Sequence, residues 1–463
     1  MERQVNRLDR QTLDSLYVGV GSLAYDPLPM LKMVLYQYLK KHTSPAQWYE
    51  EAKLNEAMRW LGRGYQPARR TWYDFRDRVG DVIDRLHEQL INRAIQEQHL
   101  DPQVGVQDGT SFAACASRHR MVNQATLEKR QQILSEVIAG SGSHDEEIPQ
   151  WVPPTTRGRL ELAGRIETAA AMLAQRIEQN AAKRCDTRKD PAKIVVSLSD
   201  PEAPLGRDKL KVYRPLYTVQ YLIEPKSHLI MSYCCEAAAN DTGTLAPMID
   251  KTQRIVGGKL RTVMADAAYC TILDLQDCES RQIELLAPVQ SNSLTESTQK
   301  KLADRQLDRD EFAWDETERS YHCPAGHRLD YKGQERQQRH GGRSIIQHRY
   351  KCSPSHCQGC ELAARCVSNP SSGRTIKRLE GQELLDAQRT KMNDEQVKKR
   401  YHLRGQTVER GFADAKGNRG FTRYHGRGLR RARAETGLLV LAQNLQILDR
   451  LERDDVKHTQ SKT

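Results

Sequence analysis

The sequence predicts an α/β protein with a mixed sheet flanked by helices, an all-helical N-terminal domain and an inserted cysteine-rich subdomain. Three observations support this prediction. At about 150 residues per domain, a chain of 463 residues suggests roughly three units. Between residues 104 and 290, strand-like segments alternate with helical ones, which is typical of a mixed α/β sheet. A polar segment after residue 290 interrupts this alternation and holds five of the eleven cysteines.

The first hundred residues predict helices only. Apolar residues recur with a 3.6-residue period at Leu31, Val34, Leu35, Tyr38 and Leu39. Ser44 and Pro45 form an N-cap and first-turn pair for a second helix, and Thr71 is a cap for a later one. Arginines at the helix joints favour a small DNA-binding module, and an ordinary helical bundle used for assembly is the alternative.

Strand signals begin at residue 104. The predicted strands cover 104–108, 193–198, 216–223, 228–235, 260–266 and 283–287. Between them the pattern predicts a helical insertion over about 120–190 and a helix over 242–255. Further helices are predicted at 401–416 and through Leu438 to Leu448.

These segments define five predicted regions. They are a helical DNA-binding or assembly domain (1–100), the first part of the core (101–290), a cysteine-rich insertion (291–395), the last part of the core (396–450) and a flexible tail (451–463). The tail is predicted to be frayed because it is highly charged.

The charge distribution predicts a polyanionic partner. Lys and Arg total 72 against 60 Asp and Glu, a net charge of +12. Between Lys398 and Arg433 there are twelve basic residues and two acidic ones, and phosphate neutralisation explains this concentration directly. The alternative for the chain as a whole is a set of merely solvated charged faces. No apolar run approaches the roughly 18 residues of a membrane span, and the charged start predicts no secretory signal.

Two aspartates are placed for metal-dependent phosphodiester chemistry. Such chemistry uses divalent cations held by carboxylates from different parts of the chain. Asp108 and Asp266 each follow an apolar strand and precede small residues, which leave room for a ligand. Asp200 competes with Asp108 because it also follows a strand. The alternative for a strand-end aspartate is a helix cap or a turn.

A third acid is predicted on the helix at 401–416. Val408, Phe412 and Ala415 form an apolar stripe that can pack on the sheet. Glu409 and Lys416 lie two turns apart on the neighbouring stripe, where a carboxylate and a lysine could bind a metal and a DNA phosphate together. The alternative is a plain surface Glu and Lys.

The acids lie within a series of short motifs, in the order Asp108-Gly-Thr, Asp200-Pro-Glu-Ala, Tyr217-Thr-Val-Gln220, Asn240-Asp241, Ala265-Asp266-Ala-Ala-Tyr269 and Val408-Glu409-Arg410-x-Phe412-x-x-x-Lys416. This order resembles that of the bacterial insertion-sequence DDE transposases. The N-terminal stretch from Ala24 to Lys32 and the C-terminal Arg427-Gly-Leu-Arg430 match as well. The resemblance covers residues from about 10 to 450, and it implies a ribonuclease H-like catalytic core.

The resemblance implies a role for each site residue. Asp108, Asp266 and Glu409 would be the catalytic, metal-binding triad. Tyr401, Arg404 and Lys416 would complete a Tyr-Arg-Glu-Lys signature and contact DNA, as would Arg419 and Arg423 in the basic run. Four residues separate Arg404 from Glu409, where the family commonly has three. Asp200 and Asp241 would support the site or form turns.

The resemblance also implies the reaction and its partners. A transposase would use Mg²⁺ or Mn²⁺ to cleave DNA at the ends of an insertion sequence and transfer the 3′-hydroxyl into target DNA. Its partners would be double-stranded terminal inverted repeats and target DNA, bound by a homodimer in the synaptic complex, in the bacterial cytoplasm at the nucleoid. The alternatives are a non-catalytic zinc-containing DNA-binding protein and a nuclease without strand transfer.

The cysteine cluster predicts a structural metal site. Cys352, Cys357, Cys360 and Cys366 have spacings that suit tetrahedral zinc, and the odd total without a signal peptide argues against a disulfide framework. Further candidate ligands are Cys323, His322, His327, His340, His348 and His356. The alternative is a set of ordinary thiols that hold no metal.

Overall fold

The structure is a computed structural model that describes residues 2–17, 24–140, 148–183, 187–239, 241–290, 307, 309–339 and 342–460, with side chains to 457. Asn240 and His340 lie outside the described residues, as does most of the start of the predicted insertion at 291–308. None of the described helices is long and apolar enough to span a membrane.

The helices of the described residues are α1 (Glu2–Val5), α2 (Arg10–Asp14), α3 (Pro27–Leu39), α4 (Pro45–Leu54), α5 (Glu56–Leu61), α6 (Arg69–Val79), α7 (Ile83–Gln96), α8 (Gln124–Ala139), α9 (Thr156–Ala181), α10 (Leu245–Ile255), α11 (Ile272–Ser280), α12 (Pro354–Gln358), α13 (Ala363–Cys366), α14 (Gln382–Asn393), α15 (Glu395–Tyr401), α16 (Leu403–Ala413) and α17 (Leu429–Gln460). A π-helical turn, Asp414–Asn418, continues α16.

The strands are β1 (Val104–Ala113), β2 (Met121–Val122), β3 (Val196–Ser197), β4 (Leu205–Arg207), β5 (Tyr213–Ile223), β6 (Ile230–Glu236), β7 (Thr262–Met264), β8 (Glu284–Leu286), β9 (Ala313–Asp315), β10 (Ser320–His322), β11 (Arg328–Gln338), β12 (Ser344–Cys352) and β13 (Thr375–Leu379).

The chain forms two compact units. Unit 1 comprises Met1–Asp266, Cys278–Leu286 and Lys398–Thr463, and unit 2 comprises Ala267–Asp277 and Ala287–Val397. The five regions predicted above divide the chain more finely, and they stay a prediction.

The N-terminal part of unit 1 is helical, as the sequence predicts. Ser44 caps α4 in a capping box with Gln47, and Pro45 occupies the first turn. Trp48 and Trp72 are fully buried and meet edge to face at 6.3 Å between ring centroids. Tertiary packing of these large rings, more than helix propensity, holds such short helices in place.

The core of unit 1 is a mixed sheet, which confirms the predicted α/β class. Its path is β6–β5–β1–β7–β8, with β4 beside β6 on the outer edge of β5. β5 pairs antiparallel with β1 and β6, whereas β1, β7 and β8 run parallel. The predicted hairpin at 216–235 is present as β5 and β6.

The first strand differs from its prediction. We predicted a strand that ends at Asp108, but β1 continues to Ala113 because β5 pairs with it as far as Ala113–Leu216. On its other side Ala113 accepts a hydrogen bond from the Tyr424 N–H. Asp108 therefore lies within a strand and is not a turn residue.

The region between β1 and β4 also differs in detail. Residues 193–198 give only the short β3, which pairs with β2 and not with the main sheet. Together with α8 and α9 these strands enclose a separate apolar cluster that includes Leu134, Ile166 and Leu173. The helices α8 and α9 thus share a small apolar core with β2 and β3, and the predicted helical insertion stays a prediction.

The last helix is longer than predicted. We predicted a flexible tail from residue 451, but α17 is helical to Gln460. Arg3 lies 3.0 Å from Asp449 and 2.8 Å from Glu452, and Arg7 lies 2.8 Å from Glu452. Ion pairs to the N-terminal helices therefore accompany the last turns of α17, which a search for apolar periodicity does not detect.

Unit 2 contains a five-stranded antiparallel sheet, β13–β12–β11–β10–β9, in a region that the sequence predicts to be polar and poor in core residues. Its core includes Trp314, Tyr321 and Tyr350, whose rings are 4.9 to 5.5 Å apart. The Arg378 guanidinium lies 4.1 Å from the Trp314 ring centroid. Because each aromatic ring buries a large apolar area, a few of them can form this core without a long run of apolar residues.

Candidate active site

The structure brings Asp108, which lies on β1, close to Asp266, which follows the adjacent parallel strand β7 in unit 1. Val106 pairs with Met264 in the β1–β7 register, and the two aspartates each lie two residues further along. Their side chains are 23% and 42% exposed, so the pair is partly open to solvent.

Arg404 from α16 bridges the two aspartates. One of its terminal nitrogens lies 3.7 Å from Asp108 Oδ1 and 3.8 Å from Asp266 Oδ2. The hydroxyl of Tyr401, one turn earlier, donates a hydrogen bond of 3.1 Å to the carbonyl of Ala265. The Tyr401 and Arg404 positions of the predicted signature therefore both reach the strand end that carries Asp266.

The electrostatics of Asp108 reflect its half-buried position. Burial raises the pKa of the Asp108 carboxyl, and the nearby Asp266 charge raises it further. The Gly109 N–H, 2.8 Å away, and the Arg404 guanidinium oppose this shift. Burial and a like charge together favour the binding of a cation beside the two carboxylates.

A third carboxylate, Asp241, stands beside this pair. Gln220 Nε2 donates a hydrogen bond of 2.5 Å to Asp241 Oδ1. Burial raises the pKa of Asp241, and the Asp266 charge contributes to the shift. Gly109 makes this approach feasible, because a Cβ there would lie 2.4 Å from both Asp241 Oδ1 and Gln220 Nε2.

Sequence reasoning left the role of Asp241 open and gave none to Gln220. The available signal was the polar Gln220 in the middle of the apolar segment 216–223. Gln220 is fully buried, and a buried amide needs a hydrogen-bonding partner.

Lys416 lies on the π-helical turn and points back to β1. Its Nζ donates a hydrogen bond of 2.6 Å to Thr110 Oγ1, two residues along β1 from Asp108. Burial lowers the pKa of Lys416, and the positive charge of Lys209 lowers it further. π-helical turns occur frequently at functional sites. Lys416 and Lys209 thus place positive charge next to the aspartates.

Glu409 lies on α16, the helix that also carries Arg404. The helix buries Thr407, Val408 and Phe412, and the Phe412 ring stacks on Tyr221 at 4.5 Å. The Glu409 side chain is exposed, and among the described residues the carboxylate oxygens of Asp108, Asp266 and Glu409 are not all within 4.8 Å of one another. Its catalytic role therefore stays a prediction.

Arg419 and Arg423 have internal partners. Arg419 is 3% exposed and donates hydrogen bonds of 2.6 Å to Asp414 and to Gln446. Arg423 donates to the backbone carbonyls of Ala114 and Ala116 at 3.1 and 2.6 Å. These contacts connect the loop after α16 to the rest of unit 1, and they do not favour the predicted contact with DNA.

Asp200 lies elsewhere in unit 1. It is fully buried, accepts a hydrogen bond of 2.6 Å from the Tyr217 hydroxyl and accepts another of 3.2 Å from the Gly428 N–H. Asp108, and not Asp200, is the aspartate that shares Arg404 with Asp266. Asp200 therefore supports the loop before α17.

Five thiols line one small cavity of about 20 Å³ in unit 2. They belong to Cys323, Cys352, Cys357, Cys360 and Cys366, and the rings of His327 and His356 also line the cavity. Burial, together with the neighbouring Cys357, raises the pKa of Cys352 to about 12. The His327 N–H donates to Cys323 Sγ at 3.3 Å. No disulfide bond joins any of the ten cysteines in the described part of the chain.

The closest group of metal-ligating atoms in the described residues lies elsewhere. The ligand atoms of Glu97, His99 and Glu452 are within 4.8 Å of one another, and among the described residues no three of the active-site acids or clustered thiols meet this limit. Arg7 already pairs with both Glu97 and Glu452. This group is accounted for as an ion-pair network.

Two family models match the chain. The model for the transposase DDE domain matches residues 322–448, and the model for the transposase domain DUF772 matches residues 1–78. The first range includes Glu409, Lys416 and the cysteine cluster, while Asp108 and Asp266 lie outside both ranges. No curated protein and no solved structure matches the chain.

The two matches support a transposase, and proteins of that class bind DNA and normally use a divalent metal. More particularly, these matches and the motifs of the sequence support an insertion-sequence DDE transposase. The family is one of polynucleotidyl transferases and endonucleases.

Proposed function

We propose that this transposase cleaves DNA at the ends of its insertion sequence and joins the freed 3′-hydroxyl to target DNA. The observation that carries the proposal is the convergence of Asp108 and Asp266 under Arg404, which comes from the helix that bears Glu409. The strand path β6–β5–β1–β7–β8, with antiparallel strands on one side and parallel strands on the other, supports the ribonuclease H-like core that the resemblance implies.

The donor chemistry at this site fits Mg²⁺ or Mn²⁺. Asp108 and Asp266 offer carboxylate oxygens, which these hard cations prefer. Asp241 adds a third carboxylate close to Asp266. We propose that Asp108, Asp266 and Glu409 hold the metal. Divalent cations bound there would supply activation of the attacking oxygen and stabilisation of the leaving oxygen.

The proposed reaction has two balanced steps. In the first, the oxygen of water attacks the scissile phosphorus and the bond to the 3′-oxygen breaks, which leaves a 3′-hydroxyl on the element and a 5′-phosphate on its flank. In the second, this 3′-hydroxyl attacks a phosphorus of target DNA and loses its proton, and the displaced 3′-oxygen of the target gains one.

The residues of the chain would orient the DNA for these steps. Lys416, Tyr401 and Arg404 surround the aspartates and are the proposed phosphate contacts. Arg419 and Arg423 are left out of this set because their guanidinium groups are already bonded within unit 1. A homodimer that holds two terminal inverted repeats would supply both ends for transfer.

A structural zinc ion in unit 2 is a separate part of the proposal. Cys352, Cys357 and Cys366 are buried around one cavity, and thiolates are ligands that zinc prefers. Cys323 and Cys360 line the same cavity, and either could complete a set of four. Ionised thiols this close repel one another, and a bound cation would remove that repulsion.

Cleavage and joining of an end duplex tests the function. The purified protein is incubated with Mg²⁺ or Mn²⁺ and a labelled duplex that carries the end of its element, as wild type and as Asp266→Asn and Glu409→Gln. We expect boundary nicking and joined product for the wild type and loss of both in the two variants. Glu178→Gln, which removes an exposed acid on α9, is the matched control and should retain activity.

Each remaining outcome selects another function. Nicking without joining favours the nuclease, and binding without cleavage under either metal favours the non-catalytic DNA-binding protein. Loss of activity in Asp266→Asn but not in Glu409→Gln would show that Glu409 is not the third catalytic acid. Asp241 would then be the candidate for that role.

A further inference from the structure

Five arginines of unit 1 line an open cavity of about 790 Å³ that contains neither Asp108 nor Asp266 in its lining. Its basic lining consists of Arg69, Arg70, Arg76, Arg427 and Arg431, with His425. Two acids, Asp74 and Asp77, are the carboxylates that line it. Five guanidinium groups against two carboxylates leave a net positive surface.

The cavity has a rigid base. Arg76 and Glu435 are almost completely buried and form an ion pair of 3.2 Å. The same Glu435 carboxylate accepts hydrogen bonds from the N–H groups of His425 and Gly426 at 2.9 and 2.7 Å. This network neutralises Arg76 and holds the backbone immediately before Arg427 against α6 and α17.

The arginines at the rim remain available. Arg69 and Arg427 are exposed, and neither forms a hydrogen bond or an ion pair with another described residue. The Arg70 side chain is 90% exposed and lies 3.5 Å from Asp74. Arg431 uses its Nε for Asp77 at 3.0 Å, which leaves its two terminal nitrogens for another partner. Guanidinium groups match phosphate oxygens in a bidentate geometry.

We propose that this cavity binds the sugar–phosphate backbone of duplex DNA next to the cleaved end. The proposal rests on the proposed function, which supplies DNA as the polyanion. A polyanion that spans the cavity can engage several arginines at once, and each neutralised phosphate releases counterions.

The position of the cavity predicts which phosphates it contacts. β1 carries Asp108 and runs on to Ala113, and Cys115, two residues further, lines the cavity. At about 3.3 Å per residue, this path is on the order of 20 Å. One strand of B-DNA advances 3.4 Å per nucleotide, so a duplex cleaved at Asp108 and Asp266 would bring phosphates roughly six nucleotides away to the cavity.

Salt-dependent binding tests the proposal. The affinity for a labelled duplex that carries the element's end is measured at several salt concentrations for the full-length wild type and for an Arg69→Gln/Arg427→Gln double variant. A chelator is present so that the duplex is not cleaved. The expected result is a salt slope lower by roughly two, so that the variant loses about tenfold less affinity than the wild type between 50 and 200 mM salt. An Arg85→Gln/Arg254→Gln variant removes the same charge from α7 and α10 and should keep the wild-type slope.

Phosphate neutralisation maps the contact. Methylphosphonates placed singly along the duplex should weaken wild-type binding about six nucleotides from the boundary and should have no effect there on the double variant. An unchanged slope and an unchanged methylphosphonate profile in the double variant would overturn the proposal, and so would tighter binding of single-stranded RNA through the same arginines. A wild type that binds no DNA at all would instead overturn the proposed function.

Discussion

Gly109 shows how a single residue sets the geometry of the candidate site. It lies between Asp108 and Thr110 on β1, and the side chains of Asp241 and Gln220 occupy the space where its Cβ would be. Those atoms are the ends of flexible side chains, so a larger residue would displace them while the strand stays in place. Gly109 therefore affects the position of the third carboxylate more than it affects the fold.

We expect Gly109→Ala to reduce cleavage at least about tenfold while lowering the free energy of unfolding by at most about 1–2 kcal/mol. Single-turnover cleavage and denaturant unfolding measure the two effects. Gly164→Ala is the matched control, since nothing lies within 4 Å of a Cβ at this position in α9. It should retain activity and gain up to about 1 kcal/mol of stability.

His87 makes a pH-dependent contribution to stability. It is 1% exposed and bonds to the Ile230 carbonyl at 2.8 Å, and burial lowers its pKa to about 4. Because the unfolded state binds the proton more readily, this contribution is complete above about pH 6.5 and is lost as pH falls towards 4. The shift corresponds to about 3 kcal/mol.

The free energy of unfolding, measured by denaturant between pH 4 and 7, should therefore fall more steeply with acid in the wild type than in His87→Gln. Equal slopes for the two proteins would show that His87 is not the group responsible. The comparison of slopes does not depend on how much the substitution itself destabilises the protein.

At the scale of elements, α16 contacts both the apolar core of unit 1 and the candidate active site. Phe412 stacks on Tyr221 of β5, and the same helix carries Arg404 to the aspartates. The packing of this aromatic side chain thus helps to hold the helix that carries the guanidinium. A change in the core should appear both as a loss of stability and as a loss of activity.

We expect Phe412→Ala to cost about 3–5 kcal/mol of stability and to lower cleavage in the fraction that remains folded. Phe412→Leu, which keeps an apolar side chain of similar volume, should cost less than about 1.5 kcal/mol and keep most of the activity. Thermal unfolding and single-turnover cleavage of both variants make the comparison. Full activity in folded Phe412→Ala would mean that other contacts place Arg404.

At the scale of the whole molecule, the two units depend on different sources of stability. Unit 1 has a large apolar core in which α17 packs against α3, α6, α7 and β6. Unit 2 has a smaller core of aromatic residues and cysteines. Loss of a metal from unit 2 should therefore affect the two units unequally.

We expect the purified protein to contain about one equivalent of zinc, and a strong chelator should expose the backbone of β11 and β12 while leaving β1 and β5 protected. Hydrogen exchange resolved by peptide measures this difference, and elemental analysis measures the metal. Cys352→Ser should reproduce the effect, whereas Cys278→Ser, which changes a buried thiol outside the cluster, should retain the zinc. A metal-free wild type with a protected unit 2 would contradict the prediction.

The sequence by itself determined the local structure and the class of this protein. Periodicity predicted the N-terminal helices, the β5–β6 hairpin and the helix with Glu409, because it reports which face of a segment is apolar. The order of motifs indicated a DDE transposase, and the family matches agree.

Tertiary structure alone decided which polar groups meet. β1 extends beyond Asp108 because β5, a strand more than a hundred residues later in the sequence, pairs with β1 as far as Ala113. Arg419 and Arg423 have internal partners, and Gln220 holds Asp241, through contacts that no local pattern encodes. The sheet of unit 2 was missed because its strands expose polar residues. A local pattern specifies burial, but the partner of a buried polar group depends on how distant segments pack.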